Sequence, residues 1–326
     1  MKILVTGAAG FIGSHFVRML LDPTRTDDSH LVTAVDSLSY AGNPANLAAV
    51  RDSEGFRFEL GDVTDAALME RVVAGQDAVV HFAAESHVDR SIDGARDFVH
   101  TNVLGTQTVL NAALRAGVGR VLHISTDEVY GSIASGSWPE EHPLEPNSPY
   151  AASKAASDLI ALAYHRTHGL DVRITRCSNN YGTHQYPEKI IPLFVTNLLQ
   201  GRKVPLYGDG LSIRDWLHVD DHCRGILLAL EHGRAGEIYN IGGGTELTNR
   251  ELTGLLLEAC GAGPDRIEYV ADRKGHDRRY SVDWSKARRE LGYTPRYDFS
   301  RGLAETVAWY RDNRAWWEPL LQRNGR

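Results

Sequence analysis

Short runs of Val, Ile and Leu, four or five residues long, alternate through the first half of the chain with longer stretches in which apolar residues recur every three or four positions. The runs at 3–6, 31–35, 57–60, 78–82, 121–125 and 172–175 read as strands, and the stretches at 11–21, 66–73, 95–114 and 150–165 read as helices. Strands that are apolar at consecutive positions are buried on both faces, and regular alternation with helices makes their sheet parallel. The pattern predicts an α/β fold with a doubly wound, Rossmann-like parallel sheet, whose ligands bind beyond the carboxyl ends of the strands.

After residue 176 the rhythm changes. Asn, Gly, Pro and His become frequent in SNNYGTHQYPEK and GDGLSIRDW, while helical periods return at 190–199, 220–230 and 249–259. Loops of that length carry function more often than they idle. The expected division is a dinucleotide-binding domain over 1–176 and a smaller, mainly substrate-holding α/β domain over 177–326, with some later elements returning to the first sheet.

Composition narrows the picture. Of 326 residues, 42% are hydrophobic and 24% charged, which excludes a disordered, collagen-like or coiled-coil chain. Forty-two acidic residues against 35 basic ones give a net charge of −7, which argues against nucleic acid as a partner but leaves room for a local phosphate pocket. Cys177, Cys223 and Cys260 are odd in number and lack metal spacing, so neither a disulfide framework nor a metal site is expected, and a reducing cytoplasm fits. The opening ILVTGAAGFIG is broken by glycines and reads as strand and turn, not as a signal peptide. The uncharged run 98–114 is too short and too polar to span a membrane, so no membrane partner is expected.

Gly7, Gly10 and Gly13 follow the first strand and open the first helix. Side chains there would block the tight turn, the approach of backbone to a pyrophosphate, and helix–strand packing. The spacing is GxxGxxG, and by itself it fits a plain strand-to-helix turn equally. Asp36 ends the second strand, where a carboxylate would accept the hydroxyls of an adenosine ribose; Ser37 and Leu38 follow it with no Arg for a 2′-phosphate, which favours NAD over NADP. Asp62 would either hold the adenine amino group or cap the helix that follows.

Three segments would meet at the sheet's carboxyl edge: HFAAESHVDRS from His81, STDEVYG from Ser125 and YAASK from Tyr150. Tyr150 and Lys154 sit one helical turn apart on one face, and a neighbouring ammonium would lower the phenol from about 10 towards a useful base. The pair alone could equally be a surface Tyr and Lys. Together with the glycine trio and the hydroxyl-bearing strand end, it resembles the extended short-chain dehydrogenase/reductase family. Epimerases of that family carry small residues where this chain has Asp127 and Glu128. Two acids in one pocket split their pKa values, so one can donate a proton to a departing hydroxyl while the other accepts a proton from carbon. The plainer reading is that both acids cap a helix or face water.

Further motifs bring the resemblance to the dTDP-glucose 4,6-dehydratases within that family, nearly end to end: AESHVDRSI, YAASKAASD, RCSNNYG, PEKIIP, PLYGDG, IRDWLHVDD, YNIGGG and DRKGHDRRYSVD. Thr183 and Lys274 depart from it, standing where many members have Pro. The resemblance implies NAD as cofactor, with Phe11 and Ile12 at the pyrophosphate, Asp36 at the ribose and Asp62 with Val63 at adenine. Ala83, Ala84 and Thr101, with Tyr150, Lys154 and Asn180, would complete the cofactor site. Ser86, Thr126 and Asn179 would contact the sugar. Lys189, Ile190, Pro205, Leu206, Tyr207, Arg214, Asn249 and the run Asp272, Arg273, Lys274, Gly275, His276 would grip the nucleoside diphosphate. Arg273, Lys274, Arg278 and Arg279 read as a basic patch for two phosphates, or else as a solvated charge run.

The implied reaction oxidises the sugar at carbon 4 with Tyr150 as base and Thr126 as hydrogen-bond donor. It then removes water with Glu128 taking the carbon 5 proton and Asp127 protonating the leaving hydroxyl. A sugar-nucleotide 4-epimerase and a non-catalytic NAD-binding regulator are the alternatives. The resemblance also implies a homodimer, and small residues on the helical stretches 95–113 and 151–163 (Ala112, Ala113, Ala151, Ala152, Ala155, Ala156) would permit close helix approach.

Overall fold

The computed structural model describes residues 1–25 and 30–323. Its strands are β1 (Lys2–Thr6), β2 (Leu31–Asp36), β3 (Phe56–Leu60), β4 (Ala78–His81), β5 (Arg120–Thr126), β6 (Val172–Cys177), β7 (Asn179–Tyr181), β8 (Val204–Tyr207), β9 (Ile213–His218), β10 (Ile238–Ile241), β11 (Glu246–Thr248) and β12 (Ile267–Val270). Seven of them form one sheet in the order β3-β2-β1-β4-β5-β6-β10, and every pairing in it is parallel. β4 and β6 are buried at every position, as are all but one residue of β1 and of β5; β1 and β4 read as apolar runs for that reason, whereas β6 also buries Arg173, Thr175 and Arg176. The direction of winding reverses between β1 and β4, and this opens the crevice at their carboxyl ends.

Helices cover both faces of the sheet. Phe16, Val17 and Leu20 of the helix Phe11–Leu20 pack with Ile226 and Leu230 of Val219–His232 on one side. Met69 and Val72 of Ala66–Val73 pack with Val109, Leu110 and Ala161 on the other. A separate core built on Phe194, Trp216, Leu252, Phe299 and Trp317 supports the later half, where β11-β9-β7 and β12-β8 form two small sheets. β10 leaves that half and completes the main sheet beside β6, pairing Tyr239 with Thr175.

The stretch 95–114 differs from one regular helix. It runs as α-helix over Ala95–Phe98, widens to a π-helix over Val99–Gly105, and resumes as α-helix over Thr106–Ala116. The widened turn holds Asn102, almost fully buried. Its amide donates to the Glu85 carbonyl at 3.0 Å and to Ser153 Oγ at 2.8 Å, while its Oδ1 accepts from the Glu85 N–H at 2.8 Å. One side chain thus fastens the segment after β4 to the helix Pro149–His168, and π-bulges of this kind concentrate at functional sites. Among the described residues, no helix is long and apolar enough to cross a membrane, and no group of His, Cys, Asp or Glu is placed to hold a metal ion.

Candidate active site

The crevice at the carboxyl ends of β1, β4, β5 and β6 continues beneath β8 and the loop that carries Arg273. The three segments singled out in the sequence meet in it: residues 82–89, residues 125–128, and Tyr150 with Lys154.

At one end lies the glycine turn. Gly7 has φ +66°, and a Cβ there would lie 2.6 Å from the Ala83 nitrogen; a Cβ on Gly13 would lie 2.3 Å from the Gly7 oxygen. These two glycines let the turn, β4 and the first helix close up on one another. Gly10 is the N-cap of the helix Phe11–Leu20 and offers it no side-chain cap. The first N–H groups of that helix, at Phe11 and Ile12, therefore face the crevice as an anion site. A pyrophosphate fits this cradle.

Asp36 Oδ2 accepts from the Ala9 N–H and Oδ1 from the Leu38 N–H, both at 2.8 Å, so the carboxylate also shapes the turn beside which a ribose would lie. Burial pushes Asp36 above its ordinary value, and backbone donors at Leu38, Ala9 and Gly10 pull it back. Asp62 is not the helix cap. Asp65 takes that place, accepting from the Leu68 N–H at 3.0 Å, while Asp62 Oδ1 accepts from the Thr64 N–H and hydroxyl at 2.8 Å. Asp62 and Val63 line the crevice, with Ala83, Ala84, Thr101 and Asn180. Asn180 Oδ1 is fixed by the His222 ring at 2.9 Å. Cradle, buried acid and apolar wall together fit a dinucleotide.

β5 delivers the reactive groups. Thr126 ends it and caps the turn Asp127–Tyr130: its Oγ1 accepts from the Glu128 N–H at 3.3 Å and donates to Asp127 Oδ1 at 3.3 Å. Asp127 is 2% exposed, and its Oδ2 is buried with no hydrogen-bond partner among the described residues. Burial raises Asp127 well above its ordinary value, and the carboxylates of Glu128 and Asp215 push it the same way. Burial also raises Glu128, but Lys189, Arg214 and Arg273 oppose the rise. The neighbours of the two acids thus place the proton on Asp127 and the negative charge on Glu128.

The expected lowering of the Tyr150 phenol by Lys154 needs correction. Burial drives the phenol well above 10, with Glu128 adding to the rise; a hydrogen bond with Thr126 acts against it, and Lys154 is not among the groups that set the shift. The Lys154 ammonium donates instead to the Ile124 carbonyl at 2.7 Å, and burial brings it down to about 8. In so dry a pocket, desolvation outweighs one cation a turn away.

The substrate-side residues Ser86, Asn179, Lys189, Ile190, Pro205, Leu206, Tyr207, Arg214, Asn249, Arg273 and His276 line the same crevice, whereas Asp272, Lys274 and Gly275 do not. Nor do the four cations near the end of the chain form one patch. Arg273 pairs with Asp89 at 2.7 Å, but Arg278 turns to Asp209 at 3.0 Å and Arg279 to Glu246 at 2.7 Å. Sequence reasoning missed Asn102, Asp89 and Asp215. Asp215 accepts from Ser178 Oγ, Gly243 N and Thr245 N at 2.5, 3.0 and 2.9 Å. The motif IRDWLHVDD contained Asp215, but only the pairing of β9 with β7 brings it to the acids.

The family described as GDP-mannose 4,6 dehydratase matches residues 4–306. A dTDP-glucose 4,6-dehydratase of Streptomyces antibioticus is 65% identical over 325 residues, covering 99% of this chain and 96% of that protein. The crystal structure of a dTDP-glucose 4,6-dehydratase from Streptomyces venezuelae with NAD and TYD bound superposes with a TM-score of 0.96 at 66% identity, covering 98% of this chain and all of that one. A UDP-glucose 4-epimerase from Thermotoga maritima superposes at 0.88, with 33% identity over 96% of this chain and 100% of that one.

Proposed function

The chain belongs to the GDP-mannose 4,6 dehydratase family, and on that premise we propose that it converts dTDP-glucose to dTDP-4-keto-6-deoxy-glucose, with NAD as a regenerated cofactor. Residues 1–176, joined by β10, form the cofactor half in this reading, and 177–326 mainly hold the nucleotide sugar. The observation that carries the proposal is the acid pair: Asp127, buried beside two carboxylates with one oxygen unpartnered, next to Glu128, faced by three cations.

NAD, when bound, takes a hydride from carbon 4 of the sugar and returns one to carbon 6, so the reaction has no net redox. Tyr150 takes the proton of the 4-hydroxyl as its phenolate, the form that its hydrogen bond with Thr126 favours, and the Thr126 hydroxyl holds the sugar oxygen. The ketone so formed acidifies the proton on carbon 5, which the Glu128 carboxylate accepts. Asp127 gives its proton to the 6-hydroxyl, and the carbon–oxygen bond breaks as water departs. Glu128 then returns its proton to carbon 5 as hydride reaches carbon 6, and the proton held by Tyr150 is left to restore the acid form of Asp127 through solvent. Lys154, anchored on β5 one helical turn from Tyr150, supports the phenolate by its charge as that phenolate forms. Arg214, its guanidinium stacked 4.2 Å from the Tyr280 ring centroid, joins Lys189 and Arg273 in holding the diphosphate.

An epimerase has no work for Asp127 and Glu128, and a regulator has none for a buried base. Incubation with dTDP-glucose and with UDP-glucose, followed by mass and NMR identification of the product, tests the reading. A 4-keto-6-deoxy product loses the mass of water, whereas an epimer keeps the substrate's mass.

The assembly we propose is a homodimer through the helices that span 95–116 and 149–168. The small residues expected to make the contact are mostly turned inward: Ala112, Ala113, Ala151 and Ala155 are buried within the subunit. The outward face carries Val99, Leu104 and Leu159 instead, each 45% exposed or more. Three large apolar side chains on adjacent helices favour a covered surface.

A further inference from the structure

Behind the crevice, charged side chains that take no direct part in these steps are packed out of water. Asp158 is fully buried; Arg176 and His123 are no more than 2% exposed. Asp158 follows Lys154 by one turn of the helix Pro149–His168, as Lys154 follows Tyr150, so the three share a face. Its Oδ2 accepts from Arg176 Nε at 2.9 Å, and its Oδ1 lies 3.3 Å from His123 Nε2. Arg176 Nη1 donates to the Tyr130 hydroxyl at 2.7 Å, and Tyr130 closes the turn that carries Asp127 and Glu128. The Tyr130 hydroxyl in turn donates to Asn240 Oδ1 at 2.9 Å.

We propose that Asp158 is a positioning residue for the reaction: its carboxylate keeps Lys154 charged inside a dry pocket, and through Arg176 and Tyr130 it registers the helix bearing Tyr150 against the turn bearing the acid pair. The inference rests on the role given above to Lys154. Facing Lys154 are Tyr150 and Asp158 on its own helix, His123 and the Ile124 carbonyl on β5, His81 on β4 and Cys177 on β6. Burial, reinforced by Lys154 itself, holds His123 at about 4 and His81 well below its ordinary value, so both are neutral at working pH. Burial pushes both the Cys177 thiol and the Tyr150 phenol up, so neither is a standing anion. Asp158 is the formal anion in this set. Burial alone would raise it, but Arg176, His123 and Lys154 outweigh that and hold it at about 2. Arg176 therefore secures the carboxylate, and the carboxylate secures the ammonium.

Competitive labelling with acetic anhydride across a pH series, read by mass spectrometry at Lys154, measures this charge directly, on protein as isolated and after removal of bound nucleotide. Wild-type protein is expected to show a midpoint near 8. In Asp158→Asn the midpoint falls by about one pH unit or more, which lowers the charged fraction about fivefold at pH 8. Formation of reduced cofactor in the Asp127→Asn background, where only the oxidation is read, loses its alkaline limb by the same amount while KM is unchanged. A lower melting temperature with an unmoved Lys154 midpoint would mean a merely structural role and overturn the proposal. Should Asp158→Asn fail to fold, Asp158→Glu decides: retaining the charge, it must keep the midpoint near 8, and a fall there overturns the proposal. Product identity is a separate measurement, so failure of the dehydratase reading shows there and leaves the labelling result intact.

Discussion

Lys189 Nζ donates to the Ser86 carbonyl at 2.6 Å, so an ammonium bridges the segment after β4 to the one that opens the helix Ile190–Leu199. The same charge leads the groups that hold Glu128 down against burial. A pH dependence follows. Glu128 must be ionised, and its value is raised, so activity is lost as pH falls through it. Asp127 must be protonated, and its value is raised well above that of an ordinary carboxyl, so activity is lost as pH rises through it. Lys189→Met removes the largest restraint on Glu128 and shifts the acid limb of kcat/KM upward, while the alkaline limb stays. A profile of kcat/KM from acid to alkaline pH for both proteins reads this.

Asp127→Asn and Glu128→Gln keep shape and hydrogen bonding but cannot cycle a proton. Oxidation at carbon 4 is expected to survive while loss of water slows by roughly two to four orders of magnitude per group. Mixing with substrate should build up the absorbance of reduced cofactor and yield little 6-deoxy product. Full rates of 6-deoxy product formation in either variant would remove these acids from the mechanism.

Tyr150→Phe keeps the ring packed 6.2 Å from the Phe98 centroid and deletes only the hydroxyl. Turnover should be nearly abolished, with binding of nucleotide sugar and cofactor little changed, as isothermal titration beside steady-state kinetics would show. Wild-type kcat would exclude Tyr150 as the base.

Gly7→Ala places a methyl 2.6 Å from the Ala83 nitrogen at φ +66°. The backbone strain alone costs about 1–3 kcal/mol. The displacement of Ala83 should weaken cofactor binding as well. Thermal melting with and without added NAD separates the two effects: the variant melts lower, and NAD restores less of the loss than it adds to wild type.

Leu159→Glu puts a charge on the outward helix face, where Leu159 is 58% exposed in the subunit. The subunit core is untouched, so the variant should fold. Sedimentation should then give a particle of about the chain mass of 36.0 kDa where the wild type gives twice that. A wild type that sediments as a monomer would refute the dimer.

Strands β1 and β4 were legible because burial on both faces puts Ile, Leu and Val into consecutive positions, whereas β3, at the sheet edge, has no fully buried residue. The glycine trio, the acid pair and Tyr150 were legible because each stands at a strand end or helix start. The π-helical turn at Val99–Gly105 was not, since Asn102 satisfies the same apolar spacing as a regular helix and reveals itself only through its partners Glu85 and Ser153. Asp62 and Asp65 compete for one cap, and the choice turns on which carboxylate reaches Leu68. The basic run 273–279 looked continuous in one dimension, yet its members point to Asp89, Asp209 and Glu246, three acids far apart in the chain. Desolvation of Tyr150 was also invisible, because pocket dryness is a property of packing and not of spacing.

The seat of β10 beside β6 bears on synthesis of the chain. Residues 1–177 emerge from the ribosome first and can assemble six parallel strands, but β6 then ends the sheet with its hydrogen-bonding groups open, and it stays so until Ile238–Ile241 has been made. A strand edge left open for that interval invites pairing with a neighbouring nascent chain. Cells making this protein on crowded polysomes must therefore shield one strand edge for the time it takes to translate some sixty more residues.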